Sequence, residues 1–138
     1  MSDICNSSIS TEIDITDNEL ILERLDPKAV LPEYKDGVLY FYSCGDHTLN
    51  PSIPYYVPTG FKCKVPDGYI LEISSFPCKT RLHMLNSPEY ITKSDGDSEL
   101  EIRLIWNGCK YYKTKVKHGT PIAKGILKKV EKLKIVEI

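Results

Sequence analysis

The sequence lacks long apolar runs. Nowhere in its 138 residues is there a stretch near the roughly 18 that a membrane-crossing helix needs, so no membrane partner is expected. It also lacks a basic region followed by an apolar stretch at its start, Met1-Ser2-Asp3-Ile4, and a cytoplasmic setting is the default expectation. Cysteine is present without pairing. Cys5, Cys44, Cys63, Cys78 and Cys109 are odd in number and include no C-x-x-C, which argues against a disulfide framework or a zinc site. There is no G-x-S-x-G, no P-loop and no G-x-G-x-x-G. His47, His83 and His118 have no cysteine or carboxylate at ligand spacing and read as surface or strand-end residues. Helical spacing is nearly absent. The stretch from Ile126 to Val136 can be forced onto a helix, but its β-branched residues and period of two speak for strand.

What is present suits one globular domain. The length is that of a single core, with 41% apolar and 27% charged residues. The net charge of −1 favours no partner, but its distribution is uneven. Residues 1–36 carry nine acidic and three basic side chains, whereas residues 101–138 carry ten basic and three acidic. Such asymmetry can mark a nucleic-acid surface. No arginine cluster or aromatic stacking platform accompanies the lysines, so they read as solvated strand faces and nucleic acid is not expected as a partner.

Residues 1–18 are rich in Ser, Thr, Asp and Asn and read as a flexible acidic and polar tail. Strand signals fill residues 19–138. Asn18 to Leu25 is a first strand, and Val38-Leu39-Tyr40-Phe41-Tyr42 is β-branched and aromatic. Phe61, Cys63 and Val65 alternate with Lys62 and Lys64, which leaves one face wet; Cys63 there acts as a small buried hydrophobe. Pro66-Asp67-Gly68 has the residues of a tight turn. Leu100, Ile102, Leu104 and Trp106 alternate with Glu99, Glu101 and Arg103, and Asn107-Gly108 signals a hairpin. Lys132 to Ile138 closes the chain in alternating Lys and Leu or Ile. Many short strands between frequent turn signals predict an all-β sandwich or barrel. The nine tyrosines fall largely in close pairs. They read as half-buried strand residues, with an interface anchor as the alternative.

Five segments carry a family resemblance. Leu31-Pro32-Glu33-Tyr34 follows a strand as an L-P-x-Y turn. Val57-Pro58-Thr59-Gly60-Phe61 has the form V-P-T-G-[IFL], and Pro66-Asp67-Gly68-Tyr69 comes after it without a gap. Leu85-Asn86-Ser87-Pro88 precedes a hairpin, and Gly119-Thr120-Pro121-Ile122-Ala123-Lys124 resembles G-[DT]-x-I-A-Q. In this order and spacing they resemble the dUTPases (deoxyuridine triphosphate nucleotidohydrolases). The resemblance implies a dUTPase-like jelly-roll β-barrel over residues 19–138, with a C-terminal strand-exchange arm at about 130–138. It further implies a homotrimer with active sites between subunits, and attack of water on the α-phosphate of dUTP to give dUMP and diphosphate.

That chemistry needs a carboxylate base, a divalent metal and donors to the phosphates. On the family's pattern, the metal-holding aspartate falls on Tyr40, a poor magnesium ligand; Asp36 and Asp46 are near but off register. The P-R-S-[GS] motif falls on Ser75-Phe76-Pro77-Cys78, which replaces its arginine by Phe76. The G-V-I-D hairpin falls on Glu89-Tyr90-Ile91-Thr92, so that Thr92 stands for the water-activating aspartate. Asp95 or Asp97 could substitute, although their Gly-containing polar turn reads as a solvated loop. The fourth motif's glutamine is Lys124, which can still hold phosphate. The Gly-rich lid has no counterpart up to Ile138.

The resemblance therefore implies no catalytic or metal-binding residue. It leaves Ser74, Ser75, Asn86, Tyr90, Ile91 and Lys124 as nucleotide-binding candidates, and Leu133, Ile135 and Ile138 as interface candidates. The expected function is that of a catalytically degenerate dUTPase-fold protein, of viral or phage type, that binds a protein partner or a deoxynucleotide without a cofactor. One alternative is an active, divergent dUTP diphosphatase using Mg2+. Another is an assembly component built on the trimer.

Overall fold

The computed structural model describes residues 19–76, 82–84, 89–108 and 111–138, with backbone alone for 82–84. The acidic tail, Cys5, Cys78, Cys109 and the Leu85–Pro88 segment with Asn86 lie outside the described residues.

Among the described residues, eleven strands are arranged in three sheets. β1 (Ile21–Arg24), β5 (Tyr55–Lys64), β9 (Glu99–Trp106) and β7 (Leu82–Met84) form a four-stranded sheet in the order β1-β5-β9-β7. β2 (Glu33–Lys35), β3 (Val38–Tyr42), β11 (Pro121–Lys129), β6 (Tyr69–Ser75) and β8 (Glu89–Ile91) form a five-stranded one in the order β2-β3-β11-β6-β8. β4 (His47–Leu49) and β10 (Thr114–Val116) pair as a ribbon. The named strand pairs are antiparallel, and the one helical element among the described residues is a 3-10 turn at Lys93–Asp95.

The alternation seen in the sequence sets the layers. Phe41, Leu71 and Ile73 point inward from the larger sheet, Val57, Ile102 and Leu104 from the smaller one, and Leu49 and Val116 from the ribbon, into one shared core. Each large side chain so buried stabilises the fold by about 1.5–3 kcal/mol. Cys63 sits in this core as expected, with 2% of its surface exposed. Burial pushes its thiol up to about 12, and Cys44 and Cys63 are both free thiols.

The Val57-Pro58-Thr59-Gly60 segment has a structural task. The β5–β9 register shifts between Pro58 and Lys62. Inside that bulge the buried Thr59 hydroxyl donates to the Leu100 carbonyl at 2.7 Å. Gly60 adopts φ +83°, its N–H donates to Glu99 Oε2 at 2.9 Å, and its carbonyl accepts the Leu25 N–H at 2.7 Å. A Cβ on Gly60 would lie 2.4 Å from that of Ala29. Only glycine meets both the backbone angle and the space.

Three expectations need correction. Lys132 to Ile138 alternate like a strand, yet residues 130–138 have no strand pairing and are exposed. A strand needs a partner edge, and this single chain offers the segment none; its last backbone tie is Val130 N–H to the Gly68 carbonyl at 2.8 Å. Ser74 and Ser75, a serine pair of the kind that caps a turn, instead belong to β6. The tyrosines divide: Tyr34, Tyr56, Tyr90, Tyr111 and Tyr112 are exposed, whereas Tyr40, Tyr42, Tyr55 and Tyr69 are half-buried.

Candidate functional site

The larger sheet brings several sequence-predicted residues into one row on its outer face. Lys124 of β11 lies opposite Tyr40 of β3 on one side and Ser74 of β6 on the other. Glu33 of β2 continues the row beyond Tyr40. Side chains in such rows stand close enough to interact directly. Ser75 pairs with Ala123, one residue along. Tyr90 and Ile91 belong to β8, at the far edge of the sheet, where Tyr90 pairs with Glu72. The Tyr90 hydroxyl donates to Glu72 Oε2 at 3.4 Å, and Lys128 Nζ meets Glu72 Oε1 at 2.6 Å. The ammonium holds the Glu72 carboxyl below its ordinary value, and the carboxylate in turn raises Lys128.

Tyr40 faces Phe76 across this surface. Their ring centroids are 5.9 Å apart and the planes are inclined at 75°. With Tyr42, Glu33 and Asp36 they line an open cavity of about 400 Å³. The Tyr42 hydroxyl donates to Glu33 Oε1 at 3.1 Å. Desolvation, and then this carboxylate, push the Tyr42 hydroxyl above its ordinary value.

Thr92 begins the 3-10 turn. Its N–H donates to Asp95 Oδ2 at 2.7 Å and its hydroxyl to the same oxygen at 3.0 Å. The Asp95 carboxylate therefore closes its own turn as a capping group. Asp97 is exposed and lies in a separate cavity with Lys64 and Lys93. A third cavity, of about 350 Å³, lies beside Tyr90 and Ile91. Glu89, Asp95, Glu99 and Glu101 line it, with no lysine or arginine among its lining residues. Four carboxylates around one cavity disfavour a triphosphate through like-charge repulsion. Lys124 lines neither this cavity nor the one beside Tyr40.

No family model matches the sequence. A deoxyuridine 5'-triphosphate nucleotidohydrolase of Caldanaerobacter subterraneus subsp. tengcongensis is 29% identical over 103 residues, which cover 72% of this chain and 68% of the relative. Among solved structures, the dUTPase of phage phi11 of S. aureus superposes with a TM-score of 0.78 at 16% identity, over 88% of this chain and 97% of the other. The chain has a dUTPase-like fold. A further structure, the Staphylococcus bacteriophage 80alpha dUTPase, matches with a TM-score of 0.74 at 17% identity, over 88% and 96% of the two chains.

The phi11 dUTPase coordinates a structural Mg(II) ion. The residues here do not fit a metal at the place the family pattern indicates. Tyr40 stands there with its ring against Phe76, and no group of three or more His, Cys, Asp or Glu converges among the described residues. His47 and His118 serve the fold. His47 Nε2 donates to the Cys44 carbonyl at 2.8 Å, and its Nδ1 accepts from the Tyr55 hydroxyl at 2.9 Å. His118 Nδ1 accepts the Gly45 N–H at 2.8 Å, and its own N–H donates to Asp46 Oδ1 at 2.7 Å.

Two features of the dUTPase-like surface escaped the sequence reading. The first is Glu33 beside Tyr40, set by a β2–β3 hairpin whose signal was the Asp36-Gly37 pair; both have positive φ, +53° and +82°, as a type I′ turn requires. The second is the acidic cavity, whose members come from distant strands and carry no local signature. Leu133, Ile135 and Ile138 are 84%, 87% and 116% exposed, without a site in their own chain. Asn86 lies outside the described residues.

Proposed function

We propose that this chain works by binding and does not hydrolyse dUTP. The observation that carries the reading is the Tyr40–Phe76 contact: an aromatic pair occupies the positions on which the family's metal-holding acid and phosphate-gripping arginine fall. Thr92, at the position of the base, is tied to Asp95. Loss of one such group costs several kcal/mol of transition-state stabilisation, and here all are replaced. The four acids beside Tyr90 also disfavour nucleotide, so a protein partner is preferred to a deoxynucleotide. The similar phage dUTPases supply a parallel, since they control transfer of virulence genes by a G protein-like mechanism. On this reading residues 19–138 form a homotrimer in a viral or phage setting within a host cytoplasm, the arm at 130–138 crosses to a neighbour, and no cofactor is needed.

The test is incubation of the protein with dUTP and Mg2+ and assay of released diphosphate. No release above a protein-free control is expected, and turnover at ordinary enzyme rates would refute the proposal. A thermal-shift series with deoxynucleotides then separates nucleotide from protein binding, because a ligand of the native state raises the melting temperature. One observation favours the alternative of an active dUTP diphosphatase: the relative at 29% identity is a nucleotidohydrolase. Diphosphate release would establish that alternative directly.

A further inference from the structure

The cavity beside Tyr40 has a chemistry of its own. Tyr40 and Tyr42 occupy alternate positions of β3 and point to the same outer face. Phe76 closes on Tyr40 from the end of β6. Glu33 is held at the cavity by the Tyr42 hydroxyl, and Asp36 stands on the rim. Lys35 is the one basic side chain among the lining residues, and Lys124 lies in the next strand. Aromatic faces attract cations through their quadrupole, and flanking carboxylates strengthen that preference. A planar guanidinium can stack on a ring and pair with a carboxylate at once. The chain uses the same contact twice elsewhere: Arg24 Cζ lies 4.9 Å from the Phe61 ring centroid and Arg103 Cζ 5.9 Å from that of Tyr56.

The neighbourhood indicates what carries the cation. β2 borders the cavity through Glu33 and Lys35. Its three residues are exposed, and among the described residues it pairs with β3 alone. An extended segment of another protein can therefore lie along β2 and direct alternate side chains onto the cavity face.

We propose that the cavity formed by Tyr40, Tyr42, Phe76 and Glu33 receives an arginine side chain from an extended segment of a protein partner. This deepens the binding reading and takes the class of partner from it. The test is NMR titration of the full chain, with labelled tyrosine and phenylalanine rings, against four probes: a blocked pentapeptide with central arginine, the same peptide with citrulline, tetramethylammonium, and inorganic phosphate. Citrulline keeps the shape and removes the charge. The arginine peptide is expected to shift the Tyr40, Tyr42 and Phe76 rings and to bind about ten-fold more tightly than the citrulline peptide. Glu33→Gln, at an exposed position that leaves the core intact, is expected to weaken the arginine peptide several-fold, as is Phe76→Ala. Equal binding of the two peptides overturns the proposal. So does tighter binding of tetramethylammonium, which would make the cavity a small-cation site, or displacement of the peptide by phosphate, which would make it an anion site. Peptide binding alongside dUTP turnover would sink the non-hydrolytic reading and leave this one standing; absence of both would do the reverse.

Discussion

Phe76 meets Tyr40 edge to face, 5.9 Å between ring centroids. An aromatic pair in this geometry contributes about 0.5–1.5 kcal/mol beyond its burial. The contact links β3 to the residue that follows β6, across β11, and so adds a side-chain tie between two strands of one sheet.

On the binding reading, restoring carboxylates alone is not expected to restore chemistry. The double variant Tyr40→Asp, Thr92→Asp is expected to release no more diphosphate from dUTP than the parent, because Phe76 still stands in for the arginine. It should also lose about 1–2 kcal/mol of stability with the ring contact. Diphosphate assay and urea melts check both outcomes, and recovered turnover would contradict the account.

Gly60→Ala tests the bulge. A Cβ there meets both a left-handed backbone angle and the Ala29 methyl at 2.4 Å. A loss of about 3 kcal/mol is expected in chemical denaturation. The companion Ala29→Gly should recover part of it by removing the collision, and the backbone part should remain.

The Asp46 carboxyl is held below its ordinary 3.8, first by the His118 backbone N–H and further by the nearby positive charges of Lys117 and Lys115. A carboxyl with a depressed native value binds its proton more readily in the unfolded chain. Its stabilisation is therefore full above about pH 4 and is lost as pH falls through the lower native value. Melting temperatures of Asp46→Asn and parent should differ near neutrality and converge once the pH has fallen below the lowered native value. A gap that persists unchanged into acid would show that the carboxylate charge is not what the turn uses.

Deletion of residues 131–138 should leave the far-ultraviolet β signal of the chain in place, since this segment pairs with nothing in its own fold. Sedimentation should shift to a smaller species if Leu133, Ile135 and Ile138 are covered by a neighbour. An unchanged sedimentation coefficient would remove the arm from the assembly.

The sheet layers were legible because period-two alternation at Phe61–Val65 and Leu100–Trp106 reports burial residue by residue. The turn at Pro66-Asp67-Gly68 was legible from its chemistry, and Tyr69 N–H duly bonds the Pro66 carbonyl at 3.2 Å. Lys132 to Ile138 carries the alternation of a strand but pairs with nothing in its own chain, because strand formation depends on an edge that sequence does not locate. The cavity around Tyr40 was half legible. Its aromatic residues stood out as replacements, but Glu33 and Asp36 reach it through cross-strand pairing and a turn, and register of that kind is not written in any one segment. The acids beside Tyr90 gather from β8, the 3-10 turn and β9 and were invisible for the same reason.

The Thr92–Asp95 clasp constrains which side chains position 92 can accept. An aspartate at position 92 would set a second negative charge within bonding distance of the Asp95 oxygen that now receives both Thr92 donors, and like charges so close repel. An acid at position 92 thus requires Asp95 to change as well, at the cost of the turn it stabilises. A charged acid at position 92 and the present turn therefore exclude one another.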